Sequence, residues 1–354
     1  MRTGCDSCSA FLIVMLTVIL SLATPALAQD CPELVGWLGV QYAGEVAVSS
    51  GYAYVVGGSG LRVIDVSDPY HPVEVGFLGF SEWSGAVAVS GDYAYVVEGL
   101  NLYVIDVSTP SAPVQVGSVE LHPGHPRDVA VSGDYAYVVT IGAYPVLSVI
   151  DVSDPSAPVE VGTVWDGGGG GVAVSGGYAY VAAGWGLAVI DVSEPTAPHR
   201  IGELLWVGGS GVAVSGGYAY TAVPYSDYIP LGLYVIDVSE PSAPVEVGFL
   251  GTPKPALDVA VSRGYAYVAV NDEYSFPGGG LHVIDVSIPS APVEVGSYAT
   301  IGGGLPGYWE GVAVSDGYVF LVNWGGLFVF RECSPLFADG FESGDTSAWS
   351  ATVP

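Results

Sequence analysis

One unit occurs six times along the sequence, followed by a degenerate seventh copy, and this repetition constrains the fold more than any other feature. Each unit runs from Val-Ala-Val-Ser through a tight turn to Tyr-Ala-Tyr, then through Val-Ile-Asp-Val-Ser to a proline-rich turn. Units that each hold several short strands favour a ring of blades over a stack of open hairpins. We therefore predict an all-β protein, a seven-bladed β-propeller with four-stranded blades. The copies begin 40 to 53 residues apart, at Val46, Val87, Val129, Val172, Val212, Val259 and Val312.

The first unit shows how four strands, A to D, fit the pattern. We place strand A at 46–49, strand B at 52–56, strand C at 61–66 and strand D at 73–77. Strands A and B are apolar on both sides and are expected to lie between blades. In strand D the polar Glu74 alternates with apolar neighbours, which is typical of a half-exposed edge strand.

The seventh copy ends after its third strand, and the missing strand is found at the other end of the chain. The segment 32–36 (PELVG) matches 72–76 (PVEVG) of the first unit. Because an open sheet edge invites aggregation, we expect the N-terminal strand to complete the last blade. By the same alignment Cys31 and Cys333 fall at the two ends of a C–D turn. If the chain is exported, such a pair is interpreted first as a disulfide, and we therefore predict one between Cys31 and Cys333.

Both ends of the chain differ from the repeats. Residues 1–28 combine Arg2, an apolar run over 10–22 and a small-x-small site at 26–28, which is typical of a secretory signal peptide. The alternative is an uncleaved anchor, but the run is shorter than the roughly 20 residues that span a bilayer. The propeller is assigned to 29–335. Residues 336–354 are predicted to be a flexible tail, although they also resemble short C-terminal tails of exported bacterial proteins and the opening strand of jelly-roll domains.

The charge balance narrows the choice of partners. The sequence carries 36 acidic and 7 basic residues, a formal net charge of −29. Such a surface repels phosphate backbones and anionic bilayers, which disfavours nucleic acid and, after signal cleavage, direct membrane insertion. We expect a monomer that is secreted, periplasmic or located at the cell surface.

The third strand of each complete unit carries the most distinctive motif. Leu-x-Val-Ile-Asp stands at 61–65, 102–106, 147–151, 187–191, 233–237 and 281–285. In this motif the chain resembles the LVIVD-repeat family of exported bacterial and archaeal β-propellers, over about 33–335. The resemblance implies a propeller in a secreted or cell-surface setting and supplies no catalytic residues. The seventh copy departs from this motif, with Phe330 and Arg331 in place of Ile and Asp. This departure is compatible with a seam, the place in blade seven where the two ends of the chain meet.

Only two of the four connections differ between copies. The A–B and C–D turns keep their lengths and lie on one side of the predicted disc, the turn face. The B–C and D–A connections lie on the opposite side, the loop face. Counted from the fourth residue after the first Tyr of strand B to the Leu of strand C, the B–C connections span up to 12 residues; counted from the Gly of strand D to the next Val, the D–A connections span up to 16. The longest fall on blades five to seven. Because loop variation on a fixed scaffold is where binding residues concentrate, we predict a ligand site there. Its aromatic and acidic candidates are Tyr225, Tyr228, Asp272, Glu273, Tyr274, Phe276, Tyr308 and Trp309.

Further tryptophans are expected in loops of the same face, namely Trp83, Trp165, Trp185, Trp206 and Trp324. Aromatic rings with few cations suit sugar stacking or a protein partner. The alternative is that these rings pack the loops onto the blades. The repeated pair Tyr52 and Tyr54 is assigned to the scaffold, and the motif aspartate, such as Asp65, is expected to hydrogen-bond the Ser-x-Pro turn that follows it.

Carboxylates that precede strand A are candidates for a cation site. Glu45, Asp128, Asp258 and Glu310 are expected near the mouth of the central channel, where a cation such as Ca²⁺ would bridge them. Otherwise we predict no cofactor. His122, His125 and Asp128 form a second candidate group, although the prolines between them also stiffen the segment for reasons unrelated to metal.

The sequence contains no recognisable catalytic pattern, and the glycine run 167–171 lacks the Lys-Ser/Thr of a phosphate-binding loop. We therefore predict an exported binding module for a protein or a glycan and not an enzyme. A carbohydrate-active lyase or hydrolase is one alternative, with Asp272, Glu273 or Glu310 as acid and base, but it requires a defined carboxylate pair. A purely architectural surface protein is another.

Overall fold

The structure is a computed structural model that describes residues 31–81, 84–121, 124–142, 146–165, 169–183, 185–224, 229–271, 279–300 and 311–333. The chain divides into two units, Met1–Asp30 and Cys31–Pro354, and every described residue belongs to the second. These residues form seven antiparallel sheets of four strands each. Among them there is no helix long and apolar enough to cross a membrane.

The first four blades contain, from the inner to the outer strand, the following elements. Blade one has β2 (Ala43–Ser49), β3 (Tyr52–Gly57), β4 (Gly60–Asp65) and β5 (Val73–Gly79). Blade two has β6 (Ser84–Ser90), β7 (Tyr93–Glu98), β8 (Asn101–Asp106) and β9 (Val114–Glu120). Blade three has β10 (His125–Ser132), β11 (Tyr135–Ile141), β12 (Val146–Asp151) and β13 (Val159–Trp165). Blade four has β14 (Gly171–Ser175), β15 (Tyr178–Ala183), β16 (Gly186–Asp191) and β17 (His199–Leu205).

The last three blades follow the same order. Blade five has β18 (Gly211–Ser215), β19 (Tyr218–Val223), β20 (Gly232–Asp237) and β21 (Val245–Gly251). Blade six has β22 (Ala256–Ser262), β23 (Tyr265–Asn271), β24 (Gly279–Asp285) and β25 (Val293–Ala299). Blade seven has β26 (Gly311–Ser315), β27 (Tyr318–Asn323), β28 (Gly326–Arg331) and, as its outer strand, β1 (Glu33–Leu38).

The seven blades form a closed ring. Each innermost strand contacts the innermost strands of the two neighbouring blades, and β26 of blade seven contacts β2 of blade one. The N-terminal strand β1 pairs antiparallel with β28, Glu33 opposite Arg331. The predicted seven-bladed propeller and its closure by the N-terminal strand are therefore confirmed.

The apolar residues are buried between adjacent blades. The described residues contain seven clusters of buried side chains, and each draws on two neighbouring blades. One of them joins Tyr54 and Leu61 of blade one to Val96 and Ile105 of blade two. Strands B and C are almost wholly buried, whereas strand A is less buried than predicted because it lines the central channel. Burial of a large apolar side chain stabilises by about 1.5–3 kcal/mol, so these interfaces hold the ring together.

The turn face is built from repeated short turns. In five blades both central residues of the A–B turn have positive φ, as at Gly176 and Gly177, which is the geometry of a tight type I′ hairpin. After strand C the motif aspartate caps the turn as predicted: Asp65 Oδ1 accepts hydrogen bonds from the Ser67 amide (2.9 Å) and hydroxyl (2.6 Å). The same amide bond recurs at Asp106, Asp151, Asp191, Asp237 and Asp285. These hydrogen bonds lower the pKa of the Asp65, Asp106, Asp151, Asp191 and Asp237 carboxyls.

In blade seven strands C and D come from opposite ends of the chain, and a covalent bond takes the place of the C–D turn. Cys31 and Cys333 form the predicted disulfide, with their Cα atoms 5.7 Å apart. Arg331, which stands in place of the motif aspartate, forms an ion pair with Glu33 (2.8 Å) and donates a hydrogen bond to the hydroxyl of Tyr70 in blade one. Arg331 of β28 thus connects the outer strand β1 of its own blade with blade one.

Candidate functional site

The segments that carry the predicted ligand-binding residues are bounded by strand ends on the loop face. They follow β19 in blade five, β23 in blade six, and β25, which precedes blade seven. Their candidate residues lie outside the residues that the structure describes, so the site remains a prediction; they are Tyr225, Tyr228, Asp272, Glu273, Tyr274, Phe276, Tyr308, Trp309 and Glu310.

Three predicted carboxylates lie at the start of innermost strands, beside the central channel. Asp128 accepts hydrogen bonds from the amides of Val129 (2.7 Å) and, in the next blade, Val172 (2.8 Å). Asp258 likewise accepts one from Val312 of the next blade (2.8 Å). Asp128 and Asp258 therefore join adjacent blades at the channel.

Neighbouring blades make room for the carboxylates by having glycine at the same position. A Cβ on Gly311 would lie 2.8 Å from the Glu45 carboxyl carbon, and a Cβ on Gly211 would lie 2.5 Å from Asp258 Oδ1. A side chain at either glycine would therefore collide with the carboxylate beside it. Around the ring, blades one to seven carry at this position Glu45, Ala86, Asp128, Gly171, Gly211, Asp258 and Gly311.

A cation that we did not predict accompanies these carboxylates. Arg127, next to the strand bulge of β10, interacts electrostatically with Asp128, Glu45 and Asp258. Burial lowers the pKa of its guanidinium to about 10, while the three carboxylates oppose this shift. Arg127 therefore stays protonated at neutral pH. The sequence signal for this role was the position of Arg127 directly before Asp128, one of the carboxylates that precede a strand A.

Burial also changes the protonation of the carboxylates. It raises the pKa of Asp128 to about 6 and that of Asp258 to about 7, against the opposing effect of their amide hydrogen bonds. Burial, followed by repulsion from Asp258 and Asp128, raises the pKa of Glu45 well above its usual value. The protonation states of Asp128 and Asp258 therefore change near neutral pH.

The predicted cation site gains no further support from this geometry. No group of three or more His, Cys, Asp or Glu side chains within the described ranges is placed to hold a metal ion. Glu310 and His122 lie outside those ranges, so the calcium site and the histidine site both stay predictions. His125 is exposed, and Asp128 is engaged by backbone amides.

The tryptophans of the loop face fall into two groups. Trp324 packs edge-on against Tyr42, with ring centroids 5.3 Å apart, as the packing alternative requires. Trp165, Trp185 and Trp206 are instead exposed to solvent. Trp165 is the last residue of β13 and not a loop residue as predicted, because strand D extends further toward the loop face than the sequence indicated. Trp83 lies beyond the described residues.

Fold and site together define an all-β propeller with a constant turn face and a varied loop face. The LVIVD repeat family model matches residues 41–78, 84–120, 123–166, 166–205, 209–252, 254–300 and 306–330. This chain therefore belongs to the LVIVD-repeat family. A β-propeller of such repeats is typical of an interaction or scaffold module.

Solved structures share the fold at low sequence identity. A computationally designed protein, Ika8, is 12% identical with a TM-score of 0.58, over 85% of this chain and 99% of its own. A chain of the Mitotic Checkpoint Complex is 11% identical with a TM-score of 0.64, over 85% and 93%. BamB from Moraxella catarrhalis is 12% identical with a TM-score of 0.55, over 81% and 84%. No curated protein matches the sequence significantly.

Proposed function

We propose that this chain is an exported β-propeller that binds a protein or a glycan through its loop face, without catalysis. The observation that carries the proposal is the contrast between the faces. The turn face repeats the same turns from blade to blade, whereas every difference in connection length falls on the loop face. Variable connections on a rigid scaffold are where repeat proteins place their binding residues.

Exposed aromatic side chains on the loop face support this proposal. Trp165, Trp185 and Trp206 present large rings to solvent at the loop-face ends of blades three and four. Aromatic rings contribute much contact area at low entropic cost, which makes them frequent anchors in interfaces. With a net charge of −29, the partner is expected to be neutral or basic and not a nucleic acid.

The setting that we propose is secreted, periplasmic or on the cell surface, with the chain acting as a monomer. A disulfide such as Cys31–Cys333 persists in oxidising compartments and is rare in the reducing cytosol. The signal-peptide pattern of residues 1–28 points the same way.

The test is to replace Tyr228, Tyr274 and Trp309 together by alanine in the exported protein. Binding to a panel of immobilised glycans and extracellular peptides is measured before and after the change. We expect the binding of at least one ligand of the panel to weaken by at least about tenfold, because each ring is an anchor of the proposed site. The matched control replaces three exposed turn-side residues, Val159, Val245 and Ile288, and should bind as the parent does.

The opposite pattern, with the control losing binding and the triple variant retaining it, places the site elsewhere and rejects the proposal. The same panel separates binding from catalysis. Turnover of a glycan that is lost in Asp272→Asn or Glu310→Gln indicates a lyase or hydrolase instead. A parent protein that binds nothing in the panel supports the architectural alternative.

A further inference from the structure

Blade four carries two exposed tryptophans on the loop face, Trp185 and Trp206. Trp206 directly follows strand β17 and has a φ of 71°, in the left-handed region. A bulky side chain rarely adopts this conformation, which costs about 1–2 kcal/mol. Strained backbone of this kind is concentrated at functional sites, where the surrounding structure maintains it.

The left-handed conformation of Trp206 coincides with exposure of its indole ring to solvent. Its amide donates to the Trp185 carbonyl (2.9 Å), and the same backbone bond is made by Leu121 in blade two and Thr300 in blade six. Leu121 and Thr300 are buried, with 0% and 2% of their surface exposed, whereas Trp206 is 61% exposed. The next residue, Val207, is buried instead. The left-handed turn therefore carries the ring outward at a position that other blades use for packing.

Trp185, in the B–C turn of the same blade, is joined to Trp206 by this backbone hydrogen bond and is also exposed. The Arg200 guanidinium lies 5.8 Å from the centroid of the Trp185 ring. Arg200 in turn forms an ion pair with Glu203 at 2.9 Å, and both side chains remain partly exposed. The cluster thus combines two aromatic rings with a charged donor and a charged acceptor at its edge.

We infer that Trp185 and Trp206, flanked by Arg200 and Glu203, form a stacking site for a neutral glycan. The apolar face of a pyranose ring packs on an indole, which is amphipathic and rigid. Guanidinium and carboxylate groups then donate to and accept from sugar hydroxyls. The net charge of −29 opposes a polyanionic chain. This inference rests on the proposed function in sharing its loop face and adds a ligand class and a site on another blade.

The test uses Trp206→Gly and Trp185→Ala in the exported protein. Glycine tolerates a φ of 71°, so Trp206→Gly removes the ring and relieves strain at once. The probes are a neutral glucan oligosaccharide, a neutral chitooligosaccharide and, as a polyanion, an oligogalacturonate, followed by calorimetry and tryptophan fluorescence. We expect a neutral oligosaccharide to bind the parent protein, and each variant to bind it at least about tenfold more weakly. Trp206→Gly should unfold at the same or a higher temperature than the parent.

The matched control is Trp37→Ala, since Trp37 is similarly exposed but lies on the outer strand of blade seven. It should bind as the parent does. Three results would each overturn the inference. The parent protein binds no neutral oligosaccharide at about 10 mM, it binds the polyanion equally well, or Trp206→Gly binds the neutral oligosaccharide as the parent does. Variants of Tyr228, Tyr274 and Trp309 should retain this glycan binding. If they lose it while Trp206→Gly keeps it, the blade-four site is rejected and the proposed function stands.

Discussion

Single residues at the channel mouth combine two roles, joining blades and responding to pH. Asp128 and Asp258 each accept an amide hydrogen bond from the following blade, which fixes the spacing of the innermost strands. Their burial at the same time favours the uncharged form and raises their pKa values into the range of physiological pH. A residue that helps to close the ring is therefore also a residue whose charge changes near neutrality.

This arrangement predicts that the protein becomes less stable as the pH rises through neutrality. A carboxyl group with a raised pKa contributes stability that is complete below its ordinary pKa and is lost as the pH rises through the folded-state pKa. For Asp128 and Asp258 these values are about 6 and about 7. The free energy of unfolding should therefore fall between about pH 5 and pH 8. In Asp258→Asn, whose amide remains neutral, this fall should be shallower.

The measurement is denaturant unfolding at several pH values, and the control is Asp237→Asn. Hydrogen bonds from Ser239 lower the pKa of Asp237, so its contribution is present above its ordinary pKa and is lost on acidification. The slope of its stability with pH should therefore differ from that of the parent only below about pH 4, while above that pH the two proteins should differ by a constant amount. Identical slopes for the parent and Asp258→Asn between about pH 5 and pH 8 would refute the role of burial at this site.

At the scale of the strand, a glycine in each outer strand D lies close to the C–D turn of the next blade. In β5 a Cβ on Gly76 would meet the Pro110 carbonyl oxygen and lie 3.1 Å from Pro113 Cδ, both in the C–D turn of blade two. Equivalent glycines in the other blades face the equivalent prolines, and Gly296 of blade six faces Cys31 and Pro32. The repeated glycine is therefore needed for close approach between blades.

We predict that Gly76→Ala destabilises the protein by about 1–3 kcal/mol or more, because the added methyl group must displace rigid backbone and a proline ring. The matched control is Gly79→Ala in the same strand, where a Cβ would lie 3.5 Å from the Phe77 ring, an ordinary contact. Thermal and denaturant unfolding of the two variants provide the comparison. Equal stability of both variants would contradict the close-approach argument.

The elements that repeat were predictable from the sequence, and those that depend on cross-blade neighbours were not. Strand order, the closing strand β1 and the disulfide followed from alignment of the copies, since each copy reports on the same local structure. The channel position of Arg127 and the outward turn of Trp206 depend on local packing and backbone conformation that the repeat pattern does not specify. The predicted binding loops occur once as well, so no second copy defines their geometry.

At the scale of the whole molecule, one covalent bond closes the ring. The Cys31–Cys333 disulfide joins residues separated by 302 positions, and nearly the whole propeller lies between them. It is supported by the β1–β28 ladder, by the Arg331–Glu33 ion pair and by the Cys333 amide, which donates to the buried hydroxyl of Tyr267. Reduction of the bond is therefore expected to loosen the closure without removing the strand pairing that defines it.

We predict that the variant with both Cys31 and Cys333 replaced by alanine folds but is less stable by up to on the order of 5 kcal/mol, because a cross-link over so long a loop restricts the unfolded chain strongly. The unfolding midpoints of the parent with and without reductant, and of the variant, provide the measurement. The reduced parent should match the variant, which separates the loss of the bond from any packing defect caused by alanine. A reduced parent as stable as the oxidised one would mean that strand pairing and blade packing alone close the ring.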